Sequence, residues 1–312
     1  MTTQTAVRRH PLADLLTVMW HYVREPSAQP LVGATSVEPS AFDAQLDLIT
    51  THRTVVAWSD VAAALDGGPS LPTDAALLTF DDGLADHART VAPRLVDRGL
   101  PGVFFVMARR PGEPLTVGHA IHILLADLGA EGLRDAVDVA LRGVERDRFR
   151  AMQERERAAG VDSIDVLKRP LQRDLLATVE PVLSRLVEER HGPDGDVADA
   201  LHLSTADIGA MRRDGLTVGG HGRRHLWLDH EPSARVVDEI EASASFLADE
   251  PRPWAFAYPY GASSAAATNA LSRTGFASAF QASPRAAAGA YDLGRVDAED
   301  PAFESIVNGT AR

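Results

Sequence analysis

No cysteine occurs in the 312 residues, which excludes disulfide frameworks, thiolate metal sites and cysteine nucleophiles together, and leaves redox chemistry silent on compartment. Aromatic residues are scarce: four Trp and four Tyr offer little material for a long groove that stacks sugar rings. Basic runs are missing too. A formal net charge of -13 repels nucleic acid and anionic lipid, so neither nucleic acid nor membrane is an expected partner. No apolar run approaches the roughly 20 residues that span a bilayer. Near the N-terminus Arg8 and Arg9 precede Leu12, Leu15, Leu16, Val18 and Met19. Asp14 interrupts that short stretch and no small-residue cleavage pattern follows, so a secretory signal is not expected and the expected location is cytoplasmic.

What is present is the balance of a folded domain, 45% hydrophobic and 24% charged, in a chain long enough to bury a full core. From residue 40 the periodicity alternates. Phe42, Leu46 and Ile49 make a helical stripe, Ala75 to Phe80 a short apolar run, and Ala88, Val91, Ala92, Leu95 and Val96 a second stripe that ends at Gly99. Val103 to Val106 reads as the next buried strand. The rhythm returns with strands at Leu216 to Val218, Trp254 to Tyr258 and Ala277 to Phe280, separated by stripes at Val237, Ile240, Ala244 and Leu247 and at Ala267 to Leu271. Such alternation predicts an α/β fold, a parallel sheet or barrel.

Between Val106 and Leu216 the rhythm gives way to charged helical periodicity, seen at Ile121, Leu124, Leu125 and Leu128 and again from Val166 to Leu186. That stretch is too long for one β/α connection. We therefore divide the chain into an N-terminal segment 1–39, a first barrel part 40–107, a helical insertion or subdomain 108–200, and a second barrel part 201–312. Ala-rich segments lie near residues 265 and 287.

Three polar clusters end predicted strands. Asp81 and Asp82 in Thr79-Phe80-Asp81-Asp82-Gly83 repel each other unless a cation or proton intervenes, although Asp-Gly by itself is also an ordinary turn. Gly219-Gly220-His221-Gly222-Arg223-Arg224-His225 offers two imidazoles four residues apart, either to one ion or simply to solvent. The glycines favour a loop leading into a turn over a helix, and the neighbouring Arg223 and Arg224 are expected to keep the imidazoles neutral. Tyr258-Pro259-Tyr260-Gly261 is turn chemistry. All three fall at the carboxyl edge, where β/α barrels assemble active sites.

Thr79 to Gly83 resembles the TFDDG motif of the polysaccharide deacetylases (the NodB-homology, carbohydrate esterase family 4 type), His221 to His225 resembles their H-[ST]-x-x-H motif, and Tyr258 to Gly261 resembles their Pro-Tyr-Gly turn. Pro101 to Val106 resembles the P-A-T-F-F strand, and the similarity spans roughly residues 40 to 300. The resemblance implies a distorted (β/α) barrel and a metal-dependent N-deacylase. It implies that Asp82, His221 and His225 hold one divalent ion, zinc first, with nickel, cobalt, manganese or iron as alternatives. Asp81 is then the base that takes a proton from water, and the backbone N–H of Tyr260 faces the oxyanion.

The chain departs from the family pattern at several points. Gly222 stands in place of Ser or Thr, Leu226 in place of Pro, and Ala257 in place of an arginine; Arg295 is the candidate to orient Asp81 instead. No Leu-x-His follows near the C-terminus, so the proton donor is sought in the helical segment, at His122 or His119. Beside an apolar stripe, His122 also reads as a structural histidine. His87 and His230 are expected at the surface. The expected substrate is an N-acylated amino sugar or a small acylated metabolite. Two other readings remain: a carbohydrate-binding homologue with altered catalysis, and a non-haem iron oxygenase, which also uses two histidines and a carboxylate.

Overall fold

The computed structural model describes residues 10–30, 32–34, 36–161, 163–284 and 289–310. Arg8, Arg9 and most of the Ala-rich stretch near 287 lie outside the described residues. Eight strands are present among them: β1 (Leu16–Trp20), β2 (Thr54–Val55), β3 (Ala75–Phe80), β4 (Val103–Val106), β5 (Thr217–Gly220), β6 (Trp254–Ala257), β7 (Phe276–Phe280) and β8 (Val296–Asp297). They pair in the order β7-β6-β5-β4-β3-β1-β8, with β2 on β3, and every ladder is parallel. Leu293 bridges Phe280 of β7, and three residues later Val296 pairs with Val18 of β1. One short segment thus joins the two edges and closes a distorted (β/α) barrel.

The continuous apolar run of β3 is what a strand buried on both faces requires. Because successive side chains alternate, Ala76, Leu78 and Phe80 join the cluster that includes Phe42, Leu46 and Ile49 of the helix Pro39–His52. Ala75 and Leu77 join a second cluster with Phe105, Ala257 and Phe280. Phe80 stacks between Trp20 and Phe104, with ring centroids 5.2 and 4.8 Å away. Such pairs contribute about 0.5–1.5 kcal/mol each beyond the area they bury.

Two elements differ from the sequence expectation. Strand β1 belongs to the sheet although it lies before residue 40, where the alternation was first read; its five residues are all buried. His87, expected at the surface, is fully buried. The short helical turn that carries it lies against the sheet, so its ring sits 5.8 Å from Phe80 and 5.5 Å from Phe104, and Nε2 donates to the His21 carbonyl at 3.0 Å. His230 is exposed.

Between β4 and β5 run the helices Val117–Ala140, Gly143–Ala158, Ser163–Arg169, Leu176–His191 and Asp194–Leu201. They form a core of their own around Ile121, Leu124, Leu133, Leu171, Val179 and Leu183. Helix Thr205–Arg213 then leads back to the sheet. Its start is fixed by a reciprocal cap in which Ser204 Oγ accepts from Asp207 N and Asp207 Oδ2 accepts from Ser204 N. Among the described residues no helix is long and apolar enough to cross a membrane.

Candidate active site

Strand alternation puts Asp81 in the same column as Leu77 and Thr79, at the carboxyl end of β3. Arg295 meets it there with both terminal nitrogens, 2.6 Å to Oδ1 and 2.6 Å to Oδ2. The side chains are 0% and 3% exposed. The guanidinium is itself fixed by the Gln281 carbonyl, which accepts from Nε at 2.7 Å. Burial is the largest influence on Asp81 and works against its charge, but Arg295 and His221 outweigh it and hold the carboxyl below the ordinary carboxylate range.

Asp82 turns the other way because its backbone is in the left-handed region, φ 75°. Three residues other than glycine have positive φ among those described, Asp82, His225 (φ 53°) and Tyr260 (φ 58°). All three belong to the clusters singled out above, and backbone strain of this kind persists where surrounding structure enforces it. Asp82 Oδ1 lies 3.2 Å from His221 Nε2 and 3.1 Å from His225 Nε2. His119 Nε2 lies 3.3 Å from the second oxygen, Oδ2, and its Nδ1 is 2.7 Å from Thr116 Oγ1.

The donor set fits a divalent ion. His221 Nδ1 donates to the Ala257 carbonyl at 2.8 Å, so a neutral ring presents a lone pair at Nε2 towards Asp82 Oδ1. Both of those buried atoms lack a hydrogen-bond partner. Two lone pairs facing each other out of water are unfavourable unless a proton or cation lies between them. Asp82, His221 and His225 each offer an atom within 4.8 Å of the others. Ligands bound at about 2.0–2.1 Å to a tetrahedral ion stand about 3.3 Å apart, close to the separations from Asp82 Oδ1.

The His221–His225 loop is shaped by Glu239, which the sequence reading did not single out. Its Oε2 accepts from the backbone N–H of Arg223 at 2.8 Å and of Arg224 at 2.9 Å. Gly222, φ 69°, packs so closely that a Cβ would come within 2.9 Å of Oε2, which explains why a larger residue is absent here. The two arginine side chains turn away, Arg223 to Glu113 and Arg224 to Glu180. They do not set the histidine protonation as expected. Burial is the main cause that brings His225 down to about 4, whereas Asp81 and Asp82 overcome burial to raise His221.

Tyr260 stacks on Trp227, centroids 4.6 Å apart, and meets the edge of His225 at 4.4 Å. His122 and His119 both line a pocket of about 410 Å³ together with Asp81, Asp82, His221, His225 and Tyr260. His122 Nδ1 is 3.1 Å from the Tyr22 hydroxyl, and burial above all, then the Lys168 charge, drives its pKa well down. Tyr22, like β1 beside it, comes from the segment before residue 40. No motif marked it. Trp227 and His202, whose ring lies 4.8 Å from His119, were also missed, since neither has a spacing that advertises a role.

A buried carboxylate beside two imidazoles, next to a second carboxylate clamped by arginine, lies at the carboxyl edge of a parallel barrel, where it can hold a divalent ion beside a proton acceptor. The polysaccharide deacetylase family profile matches residues 182–279, which includes the His221–His225 loop and the Pro259–Gly261 turn. The fold is shared with IcaB from Ammonifex degensii (TM-score 0.58, 18% identity, 96% of this chain and 98% of that one). It is also shared with the Streptococcus pyogenes deacetylase PplD (0.57, 15%, 96% and 97%) and a polysaccharide deacetylase from Bacillus cereus (0.54, 14%, 95% and 69%). Among curated proteins none matches the chain by sequence. Residues 182–279 are thus similar to the polysaccharide deacetylase family, and the fold is the one these solved structures share.

Proposed function

We propose that the chain is a divalent-metal-dependent N-deacylase that hydrolyses the acyl amide of an N-acylated amino sugar or a small acylated metabolite. The observation that carries this reading is Asp82 Oδ1, within 3.2 Å of two imidazole nitrogens and without a proton donor of its own. Asp82, His221 and His225 would hold the ion. An ion there supplies Lewis acidity, which polarises the acyl oxygen and acidifies a water.

The chain's own groups account for the proton movements. Asp81, kept ionised and fixed in direction by Arg295, accepts the proton of the attacking water at a carboxylate oxygen. The backbone N–H of Tyr260 is the proposed donor to the oxygen that gains negative charge. An amide cannot readily expel an unprotonated amine, so a donor is required at the leaving nitrogen. His122, which lines the pocket, is proposed for it: held neutral by burial, it must first take up a proton and then hand that proton to the amine. His119 is set back as the partner of Asp82 Oδ2. Within this reading segment 108–200 acts as the substrate-facing part of the enzyme.

The test is to strip the protein with a chelator, titrate zinc, nickel, cobalt or manganese back, and measure bound metal and release of acetate from an N-acetylated sugar. One ion per chain with activity that tracks it is the expected result. Full activity in the stripped protein, or no ion bound, overturns the reading.

A further inference from the structure

The pocket beside Asp82 holds two donors that the proposed reaction does not use. Gln172 is 5% exposed, and its Nε2, which lines the pocket, has no hydrogen-bond partner. Lys168 is half-buried in the same wall. No described residue gives its ammonium a hydrogen bond or ion pair, and Asp165, one turn earlier, engages Arg169 at 3.1 Å. Gly118 lets Tyr260 and Gln172 pack close to the start of helix Val117–Ala140: a Cβ there would lie 2.8 Å from the Tyr260 hydroxyl and 3.5 Å from Gln172 Nε2.

We infer that Lys168 and Gln172 form an anion-recognising subsite, so that the substrate carries a carboxylate or phosphate in addition to its acyl amide. The inference rests on the deacylase reading and deepens it. An unpaired ammonium withdrawn from water is costly unless an anion meets it, and burial already lowers the Lys168 pKa. A buried amide N–H without an acceptor carries a penalty of the same kind. One anionic group lying between the two relieves both, with the ammonium acting as a point charge and the amide fixing direction. None of the five acids that line the pocket forms an ion pair with Lys168: Asp81 is taken by Arg295, Asp82 faces the histidines, Asp165 engages Arg169 and only offsets part of the burial effect through space, and neither Asp297 nor Glu299 pairs with it. The volume of about 410 Å³ is that of a small-molecule site, suited to a single acylated unit with its charged substituent.

The test uses product amines, which the enzyme cannot turn over, and metal-loaded protein. Calorimetry compares glucosamine with glucosamine 6-phosphate and with muramic acid, the same ring carrying a phosphate or a carboxylate. At least one anionic amine should bind about tenfold more tightly than glucosamine, and which one identifies the anion. Lys168→Met should bring that ratio to about one and Lys168→Arg should retain most of it, while Gln172→Leu weakens the anionic ligand more than glucosamine. Thermal unfolding of each variant near the parent Tm shows that the fold is kept. Equal binding of all three amines, or a preference that survives Lys168→Met, overturns the proposal. The two readings fail separately: Lys168-dependent anion binding without amide hydrolysis defeats the deacylase reading, whereas hydrolysis of N-acetylglucosamine without anion preference defeats this one.

Discussion

Two adjacent aspartates have different surroundings because the backbone sends them to different partners. Asp81 stays in the extended register of β3 and meets Arg295, while Asp82 leaves it at φ 75° and faces the histidines. Asp81→Asn is therefore expected to keep metal affinity and to reduce turnover by roughly 10² to 10⁴, whereas His221→Ala should lose both. Calorimetric metal titration beside steady-state rates separates the two, and equal loss of metal in both variants would refute the division. Arg295 has a second consequence. Arg295→Met strands a buried carboxylate and should destabilise the chain by about 3–5 kcal/mol, read from urea unfolding, and Asp81→Asn in the same chain should recover part of that.

At the scale of elements, the helical segment and the His221–His225 loop supply much of the pocket wall. Helix Val117–Ala140 starts at Thr116, whose side chain accepts from His119 N, and its first two turns place His119 and His122 at the pocket. If His122 delivers the proton, His122→Ala should depress hydrolysis of an amide far more than that of an activated ester, whose leaving group needs little protonation. Equal losses on both substrates would assign the proton elsewhere. In the loop, Gly222→Ser would match the residue type of the motif that this loop resembles, yet it should harm this protein. It forces a side chain into positive φ and towards Glu239 Oε2. A loss of about 1–3 kcal/mol together with weaker metal binding is expected.

Across the whole molecule, histidines buried in neutral form make stability depend on pH. Burial is the main cause that lowers the pKa of His87, His122 and His202 in the fold. The unfolded chain then takes up protons first as pH falls below about 6.5. These groups contribute stability that is complete above that pH and is lost as pH falls further, each by up to about 1.4 kcal/mol per pH unit. His225, brought down to about 4, acts with them, and His221, raised by Asp81 and Asp82, acts in the opposite sense, but as a single group against four. The chelator-treated protein should thus lose stability from pH 7 to pH 5, and His87→Leu should flatten the slope. Denaturation midpoints that do not change over that range would contradict this balance.

The β/α rhythm and the strand-end positions of Asp81, Asp82, His221, His225 and Tyr260 were legible in the sequence, because periodicity and turn chemistry are local, whereas Arg295 was sought as the partner of Asp81 only because the family resemblance implied an arginine that Ala257 does not supply. Strand β1 was not, since five residues between loops carry too little pattern to announce a strand held by β3 and β8. The burial of His87, the hold of Glu239 on the loop, and the convergence of Tyr22, His122, Lys168 and Gln172 on one pocket were decided only by tertiary structure. Each depends on contacts between segments far apart in the chain, and no spacing along a single strand or helix encodes which distant surface it will meet.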